Sequence, residues 1–279
     1  MMISRALGSV TVIALPDAEG VFFQPREEAF PDATAAHWRQ ADERDPAAIT
    51  PDGRWRLSFR CFAIRYDDGP DAGRVILVDA GIGPADAPAG SWAPVPGRLP
   101  ESLAAAGISP DEVDTVVLTH KHSDHVGGAV TGGPDGAGEA PAPCFRNARY
   151  LLQRAEIESI RGQGAAGLAG YLLDPLTATG QLHAVDGDHQ LTPGVRLLAT
   201  PGHTPGHQSV LVETADEDLL ITGDLLVHAV QLVAPELTYA HEEDPDVARR
   251  SRRTLLTRLA GRPAAFLGTP HLSTPFVLL

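Results

Sequence analysis

Alternation of hydrophobic and polar residues marks the first strands of the chain. Val10–Leu15 and Arg56–Tyr66 (R-L-S-F-R-C-F-A-I-R-Y) follow a period of two, which is typical of a strand with one buried face. Two shorter segments, Arg74–Asp79 and Val116–Leu118, are mostly or wholly hydrophobic and predict strands buried on both faces. The first half of the chain is therefore predicted to be rich in β-structure.

Short strands also dominate the second half, and the predicted helices occur singly between groups of strands. This pattern fits two sheets packed face to face with helices on the outside. The predicted strands are Gln181–Val185, Val195–Ala199, Gln208–Glu213, Asp218–Ile221 and Ala264–Leu267, and the predicted helices are Leu99–Gly107, Arg154–Ile160 and Pro245–Ala260.

The helix predicted over Pro245–Ala260 has an apolar stripe and a run of arginines. Its stripe consists of Val247, Leu255, Leu256 and Leu259. Because the arginines fall between these positions, a solvated helix face is favoured over a nucleic-acid site. The arginines are Arg249, Arg250, Arg252, Arg253 and Arg258.

Residues 20–56 are rich in Pro, Asp and Arg and are expected to be irregular. A loop of this length in a compact domain is usually functional or disordered. Two interpretations stay open, a flap that covers a pocket and a plain surface connection. Segments 84–96 and 161–175 are expected to complete the wall of such a pocket. All of these segments are assigned to a single domain that spans residues 1–279.

Composition excludes several classes of partner. A net charge of −14 and a pI near 5.1 argue against nucleic acid, whose phosphates require patches of lysine and arginine. No apolar stretch is long enough to cross a bilayer, and the N-terminus lacks the features of a signal peptide. Cys61 and Cys144 are far apart in sequence, so both are expected to be reduced, and we expect a cytoplasmic location.

The most informative stretch is Thr119–Gly128, which reads T-H-K-H-S-D-H-V-G-G directly after a hydrophobic strand. Side chains two apart on extended backbone point the same way, so His120 and His122 can reach one metal ion. Asp124 and His125, beyond the bend, can reach a second ion. Imidazole and carboxylate are favoured zinc ligands. The spacing therefore favours a metal site over a surface cluster of polar residues.

Three further candidate ligands also follow predicted strands. His203 lies in T-P-G-H-T-P-G-H after Val195–Ala199, Asp224 follows the strand that ends at Ile221, and His271 follows the last strand. Loops held by a rigid scaffold are a common way to assemble a site from distant segments. His207 is expected to support the site rather than to bind metal, and His228 is expected near the pocket.

The His-x-His-x-Asp-His motif with His203, Asp224 and His271 downstream resembles the dinuclear metallo-β-lactamase-fold hydrolases over about residues 9–276. The resemblance implies an α/β fold, the αββα four-layer sandwich. It also implies one metal held by His120, His122 and His203, a second held by Asp124, His125 and His271, and Asp224 as the bridge. Zinc is the default ion, although iron, manganese or cobalt also suits these ligands.

Within this fold, Gly223-Asp224, Asp244-Pro-Asp before the arginine-rich helix and Phe145–Tyr150 resemble the branch with methyl parathion hydrolase and quorum-quenching lactonases. Two departures stand out. Lys121 replaces the small or apolar residue that is usual between the first two histidines, and its side chain is expected to point away from the metals. The sequence also stops soon after His271, where relatives usually add another strand.

The resemblance implies an enzyme that uses a metal-bridging hydroxide to cleave an ester-like bond, with a lactone or carboxylic ester of a small organic molecule favoured. Asp124 and Asp224 would hold the hydroxide and transfer a proton to the leaving group. The motif Gly-x-Ser-x-Gly is absent, so a serine hydrolase lacks support. The alternatives are a thioesterase of glyoxalase II type and a non-catalytic metal-binding protein. A homodimer is the default assembly.

Overall fold

The computed structural model describes residues 3–132, 141–164 and 167–279, and its first sheet has seven strands. Strands β1 to β4 are antiparallel, whereas β4, β5, β8 and β9 run parallel to one another, in the spatial order β1-β2-β3-β4-β5-β8-β9. The strands are β1 (Ile3–Leu7), β2 (Val10–Val21), β3 (Arg56–Tyr66), β4 (Val75–Val78), β5 (Val113–Val117), β8 (Arg149–Gln153) and β9 (Leu182–Val185). Strands β6 (Val130–Thr131) and β7 (Ala142–Pro143) pair separately.

The second sheet has six strands in the order of the sequence. All neighbours are antiparallel except β13 and β14, which run parallel. Its members are β10 (His189–Thr192), β11 (Val195–Ala199), β12 (Gln208–Glu213), β13 (Asp218–Ile221), β14 (Ala265–Gly268) and β15 (Phe276–Leu278). The strand β15 follows His271 and pairs with β14, so the second sheet continues beyond this histidine.

Eight α-helices lie in the connections of the described residues. Only two of them reach ten residues, and short 3-10 turns and one π-helical turn (Ala169–Leu173) add to them. The helices are α1 (Arg26–Ala29), α2 (Ala35–Arg44), α3 (Leu99–Ala105), α4 (Ser123–Val126), α5 (Arg154–Gly162), α6 (Asp174–Ala178), α7 (Val230–Val233) and α8 (Pro245–Ala260).

Three apolar layers hold these elements together, and they define the architecture. Between the sheets, residues such as Val12 and Val117 pack against Leu197 and Leu219. Side chains of the first sheet's other face pack on α3, α5 and α6, and those of the second sheet's other face pack on α8. The order is helix, sheet, sheet, helix, which confirms the predicted αββα sandwich.

The alternation predicted for Arg56–Tyr66 explains how one strand serves two of these layers. In β3, Phe62 and Ile64 contribute to the layer between the sheets, while Cys61 and Ala63 contribute to the layer under the helices. All four side chains are buried, because this central strand is covered on both faces. The same strand begins near the candidate site, where Ser58 and Phe59 contact His271.

Segment 20–56 is not irregular, and that prediction was wrong. It contains α1 and α2, and the Thr34 hydroxyl accepts a hydrogen bond from the His37 amide at the start of α2. Trp38 and Ala41 of α2 are buried in an aromatic cluster. The helix is short, polar and capped by a histidine in place of the usual glutamate, so its hydrophobic period is weak.

The arginine run of α8 is also not wholly solvated. Arg252 is fully buried, and its guanidinium donates to the carboxylate of Glu242 and to the carbonyls of Pro235 and Leu237, each at 2.8 Å. The neighbouring Arg253 is exposed, as predicted. Because a guanidinium has several donors, Arg252 joins α8 to the loop between α7 and α8.

No helix among the described residues has the length and hydropathy of a membrane span.

We expect Arg252→Ala to lower the free energy of unfolding by about 3–5 kcal/mol, because it leaves the buried carboxylate of Glu242 without its partner. Urea unfolding followed by circular dichroism measures this change. Arg253→Ala, one position along the same helix, is the matched control and should alter stability by less than about 0.5 kcal/mol. Equal effects of the two substitutions would contradict the assigned role of Arg252.

Candidate metal centre

The candidate ligands are delivered by the ends of four strands at one edge of the sandwich. His120 and His122 follow β5, and the one-turn helix α4 presents Asp124 and His125. The loops after β11, β13 and β14 carry the other three, which are His203, Asp224 and His271. All seven predicted ligands are thereby brought together in two groups, whose possible ligand atoms lie within 4.8 Å of one another in each group.

The first group contains His120, His122, His203 and Asp224. Nδ1 of His122 lies 3.0 Å from Nε2 of His120 and 2.9 Å from Nε2 of His203. One carboxylate oxygen of Asp224, Oδ2, lies 3.2 Å from Nε2 of His203 and 3.7 Å from Nε2 of His120. Three imidazole nitrogens and one oxygen thus converge on a common point.

The second group contains Asp124, His125 and His271, and the other oxygen of Asp224 faces it. Nε2 of His125 lies 3.3 Å from Oδ2 of Asp124, and Nε2 of His271 lies 3.7 Å from the same atom. Oδ1 of Asp224 is 3.1 Å from Nε2 of His125 and 3.0 Å from Nε2 of His271. Asp224 therefore stands between the groups with one oxygen toward each.

The donor set fits two divalent metal ions. Nε2 of His125 is buried and makes no hydrogen bond within the described residues, although a buried polar atom normally has a partner. The ring nitrogens of His120 and His203 lie close to that of His122, as expected for ligands that bind a single metal ion. Imidazole and carboxylate together suit zinc and other borderline or hard ions.

Electrostatics of the site differ between the two groups. Burial lowers the pKa of His120 well below its usual value and that of His122 to about 3, so both imidazoles are neutral and able to bind metal. Burial also acts to lower the pKa of His125, but the charges of Asp124, Asp224 and Asp79 outweigh it and raise that pKa. The carboxylates therefore draw positive charge into the second group.

Neighbouring groups orient the imidazoles from outside. The carboxylate of Asp79 contacts Nδ1 of His125 at 2.8 Å and accepts from the Thr119 amide at 2.7 Å. Nδ1 of His271 donates to the Ser58 carbonyl at 2.9 Å. Asp79 also adopts a left-handed backbone with φ of 64°, a strained conformation that is often found at functional sites. Through these contacts Asp79 supports His125 and fixes the backbone of Thr119, next to His120.

His207 lies behind the site. Its Nε2 accepts a hydrogen bond from the Asp224 amide at 2.9 Å, and its Nδ1 contacts the Thr200 hydroxyl at 2.8 Å. A side chain at Gly223 would lie 2.7 Å from Nε2 of His207, so only glycine allows this approach. His207 therefore fixes the backbone of Asp224, as a supporting residue would.

Lys121 points away from both groups. Its ammonium lies 2.6 Å from the Ser159 hydroxyl and 2.7 Å from the Glu243 carboxylate. His228 is buried among Phe30, Trp38 and Trp55 rather than in the pocket wall. It contacts Trp55, which lines the cavity, so His228 lies near the pocket as expected without forming part of its wall.

A cavity of about 330 Å³ opens over the two groups. Its floor includes His122, Asp124 and Asp224, and much of its wall is aromatic. The wall residues are Phe22, Phe23, Trp55, Leu57, Trp92, Ser123, Val227, Tyr239 and His241. None of these residues is a lysine or an arginine.

Two of the segments expected to form the pocket reach the cavity, and one does not. Residues 20–56 contribute Phe22, Phe23 and Trp55, and residues 84–96 contribute Trp92. No described residue of 161–175 lines it, and residues 165–166 lie outside the described part. Val227, Tyr239 and His241 were not anticipated, because the segment after β13 has no periodicity that indicates its path.

A four-layer sandwich with a histidine and aspartate site at its edge defines a class of metal-dependent hydrolases. The chain belongs to the metallo-beta-lactamase superfamily, whose model matches residues 60–131 and 148–271. This match confirms the family indicated by the motif and supports a hydrolase.

Curated relatives of this chain belong to the lactonase-like branch that the motif indicated. An N-acyl homoserine lactonase of Bacillus cereus is 30% identical over 189 residues, which are 63% of this chain and 66% of that protein. Another from a Bacillus species is 31% identical over 182 residues, which are 60% and 63%. This chain therefore aligns with just under two thirds of the length of these two relatives.

Two solved structures cover nearly all of the chain. The hydrolase AbOPH of the beta lactamase superfamily has a TM-score of 0.76 at 25% identity, covering 98% of this chain and 91% of that one. AidC, a dizinc quorum-quenching lactonase, has a TM-score of 0.74 at 20% identity, covering 100% and 96%. At that identity, the likeness to AidC shows the fold alone.

We expect His228 to make stability pH-dependent. Burial, with a smaller effect of Arg26, lowers its pKa to about 3, whereas the unfolded value is about 6.5. The neutral imidazole therefore stabilises the fold fully above pH 6.5, and this contribution falls by about 1.4 kcal/mol per unit as the pH drops toward 3. His228→Asn, which keeps an acceptor for the Val230 amide, should have a shallower slope over this range.

Urea unfolding of the chelator-treated proteins at several pH values measures the two slopes. The curves of the parent and of His228→Asn should run parallel above pH 7.5, which is the internal control. Equal slopes below pH 6 would contradict the predicted burial of a neutral imidazole.

Proposed function

We propose that the protein is a metal-dependent lactonase that opens the ring ester of an N-acyl homoserine lactone or a closely similar lactone. The observation that carries this proposal is the pair of donor groups joined by Asp224 on the floor of an aromatic cavity. The site offers ligands for two ions and an open space above them, which a hydrolytic metal site requires.

In this proposal, His120, His122 and His203 hold one ion, and Asp124, His125 and His271 hold the other, with Asp224 between them. Zinc is the favoured ion, and iron, manganese and cobalt fit the same donors. Such ions lower the pKa of water and polarise the substrate carbonyl.

The chain's own groups supply the remaining steps. Burial opposes ionisation of Asp124 and Asp224, but the surrounding imidazoles outweigh it and lower the pKa of both carboxyls. Both are therefore carboxylates at neutral pH and able to accept a proton. As proton acceptors, Asp124 and Asp224 would hold the attacking water. One of them would take a proton from this water and pass it to the leaving alkoxide.

Tyr239 lines the cavity, and in this proposal its hydroxyl donates a hydrogen bond to the substrate. Its ring lies nearly parallel to that of His203, with centroids 6.1 Å apart and an angle of 14°. Burial, together with the charges of Asp224 and Asp124, raises the pKa of its hydroxyl well above the usual value. The phenol therefore stays protonated and can stabilise negative charge on the substrate oxygen.

The cavity wall favours a neutral, partly apolar substrate. Phe22 packs against Phe23 and Trp55 with ring centroids 4.3 and 4.6 Å apart, and Trp92 stands 6.4 Å from it. Apolar surface of this kind suits an acyl chain. Among the described residues that line the cavity there is no lysine or arginine, which disfavours thioesters whose carriers are anionic.

The relatives add support, since those of 30–31% identity are named N-acyl homoserine lactonases. The sequence alignment covers only part of those proteins, so their substrate enters as part of the proposal. The single domain over residues 1–279, the cytoplasmic location and the homodimer stay predictions from the sequence.

A substrate panel tests the proposal. The zinc-loaded protein should hydrolyse N-acyl homoserine lactones in preference to aryl esters, thioesters, a phosphotriester and a β-lactam. Treatment with a chelator should abolish the activity, and added zinc should restore it. Preferred turnover of thioesters would indicate the alternative of a glyoxalase II-type thioesterase. Two bound ions with no turnover of lactone would contradict the proposed substrate.

We expect Asp224→Ala to lower kcat/KM for the lactone on the order of 10²–10³-fold or more, because each donor group loses the Asp224 oxygen that faces it. Circular dichroism should show that the fold is kept. The matched control is Asp216→Ala at an exposed turn of the second sheet, which should leave kcat/KM unchanged. Near-parental activity of Asp224→Ala would rule out the shared carboxylate.

A further inference from the structure

Glu156 is a fully buried carboxylate in the first turn of α5, and it does not line the cavity. Its Oε1 accepts a hydrogen bond from the Lys121 amide at 2.8 Å, and its Oε2 accepts one from the Gly206 amide at 2.7 Å. Lys121 stands between His120 and His122, and Gly206 lies three residues after His203. One side chain thus connects the two loops that carry all three histidines of the first group.

The loop that carries His203 is fixed from both sides by close backbone packing. A Cβ atom at Gly206 would lie 2.4 Å from the amide nitrogen of Glu156, and one at Gly202 would lie 2.0 Å from that of Ala248. The loop is therefore held between the first turns of α5 and α8. This packing explains the two glycines of P-G-H-T-P-G-H and leaves little room for His203 to move independently.

An ion pair links the same two loops a second time. The Lys121 ammonium lies 2.7 Å from the Glu243 carboxylate, and the Glu243 amide donates to the His203 carbonyl at 3.1 Å. The lysine side chain is 7% exposed and that of Glu243 is 43% exposed. The pair is thus at the surface end of the connection, whereas Glu156 is at its buried end.

We infer that Glu156 is a positioning residue that sets the separation of His120 and His122 from His203, and so the affinity of the first group for its ion. The inference rests on the proposed function only in assuming that this group binds a metal. These two hydrogen bonds of Glu156 go to Lys121 and Gly206 rather than to Asp124, His125 or His271, and the second group should therefore keep its own affinity.

The substitution Glu156→Gln isolates this role. The amide retains the size of the side chain, but its NH2 group would face one of the two backbone N–H groups, so one loop loses its acceptor. Removing such an outer hydrogen-bond partner of a metal site typically lowers metal affinity about 10–100-fold. We expect a loss of this size for one ion only.

Two controls separate positioning from general damage. Glu158→Gln is the same change two positions along α5, at an exposed side chain. Asp17→Asn removes another buried carboxylate that accepts two backbone N–H groups, those of Ile82 at 2.7 Å and Leu99 at 2.8 Å. It should reduce stability, yet leave the first group's affinity for its ion as in the parent.

The experiment loads the full chain with zinc. Competition with a chelator gives the dissociation constant of each ion, and anomalous diffraction at the zinc edge gives the occupancy of each group. In Glu156→Gln, the ion at His120, His122 and His203 should be weakened about 10–100-fold, while the ion at Asp124, His125 and His271 keeps its occupancy. Parental values for both ions, or equal loss of both, would overturn the inference.

A second variant keeps the test decisive if Glu156→Gln fails to fold. Glu243→Gln removes the outer ion pair at a half-exposed side chain and should weaken the same ion by a smaller factor. An unchanged first ion in that variant would then overturn the inference. If the parent chain binds no zinc, the proposed function and this inference fail together. Two ions bound with parental affinity in every variant would reject the positioning role alone.

Discussion

The buried carboxylate of Asp224 is the constraint on which the site depends. A carboxylate removed from water is costly unless opposite charge or hydrogen bonds compensate it, and here each oxygen faces a different set of imidazoles. Its amide is fixed by His207, and Gly223 permits that approach. Because two donor groups share one side chain, a shift of Asp224 would alter both groups at once.

Other buried or half-buried charges hold the loops around this carboxylate. Glu156 accepts from backbone N–H groups, whereas Arg60 donates from its guanidinium to the carbonyls of Thr269 and Ser273 on either side of His271, at 2.7 and 3.2 Å. Burial lowers the pKa of Arg60 to about 10, so it remains charged at neutral pH. Backbone groups in loops lack the regular hydrogen bonds that strands make with one another. The side chains of Glu156 and Arg60 supply hydrogen bonds to the peptide groups of these loops instead.

Much of the fold and of the candidate site was predictable, because strands and ligands obey short-range rules. The period of Arg56–Tyr66 places alternate side chains in two layers, and the histidines after Leu118 sit where a buried strand must end. The helices of 20–56 were missed, since α2 derives its order from tertiary burial of Trp38 rather than from an apolar stripe. Arg252 was misplaced for a similar reason. Its partner Glu242 lies outside the helix, so the pattern within the helix does not show that Arg252 is buried.

The ligand positions, which the sequence predicts, and the aromatic wall, which it does not, have different roles in the molecule. Ligands sit at strand ends because metal coordination tolerates little displacement, and the sandwich fixes those ends through its ladders. The aromatic wall comes instead from segments such as 20–56, which bury Phe22 and Trp55 against residues far away in sequence. Such a wall can change without disturbing the ligands. In the proposed function, the two donor groups would therefore set the class of reaction, and the wall would select which substrate enters.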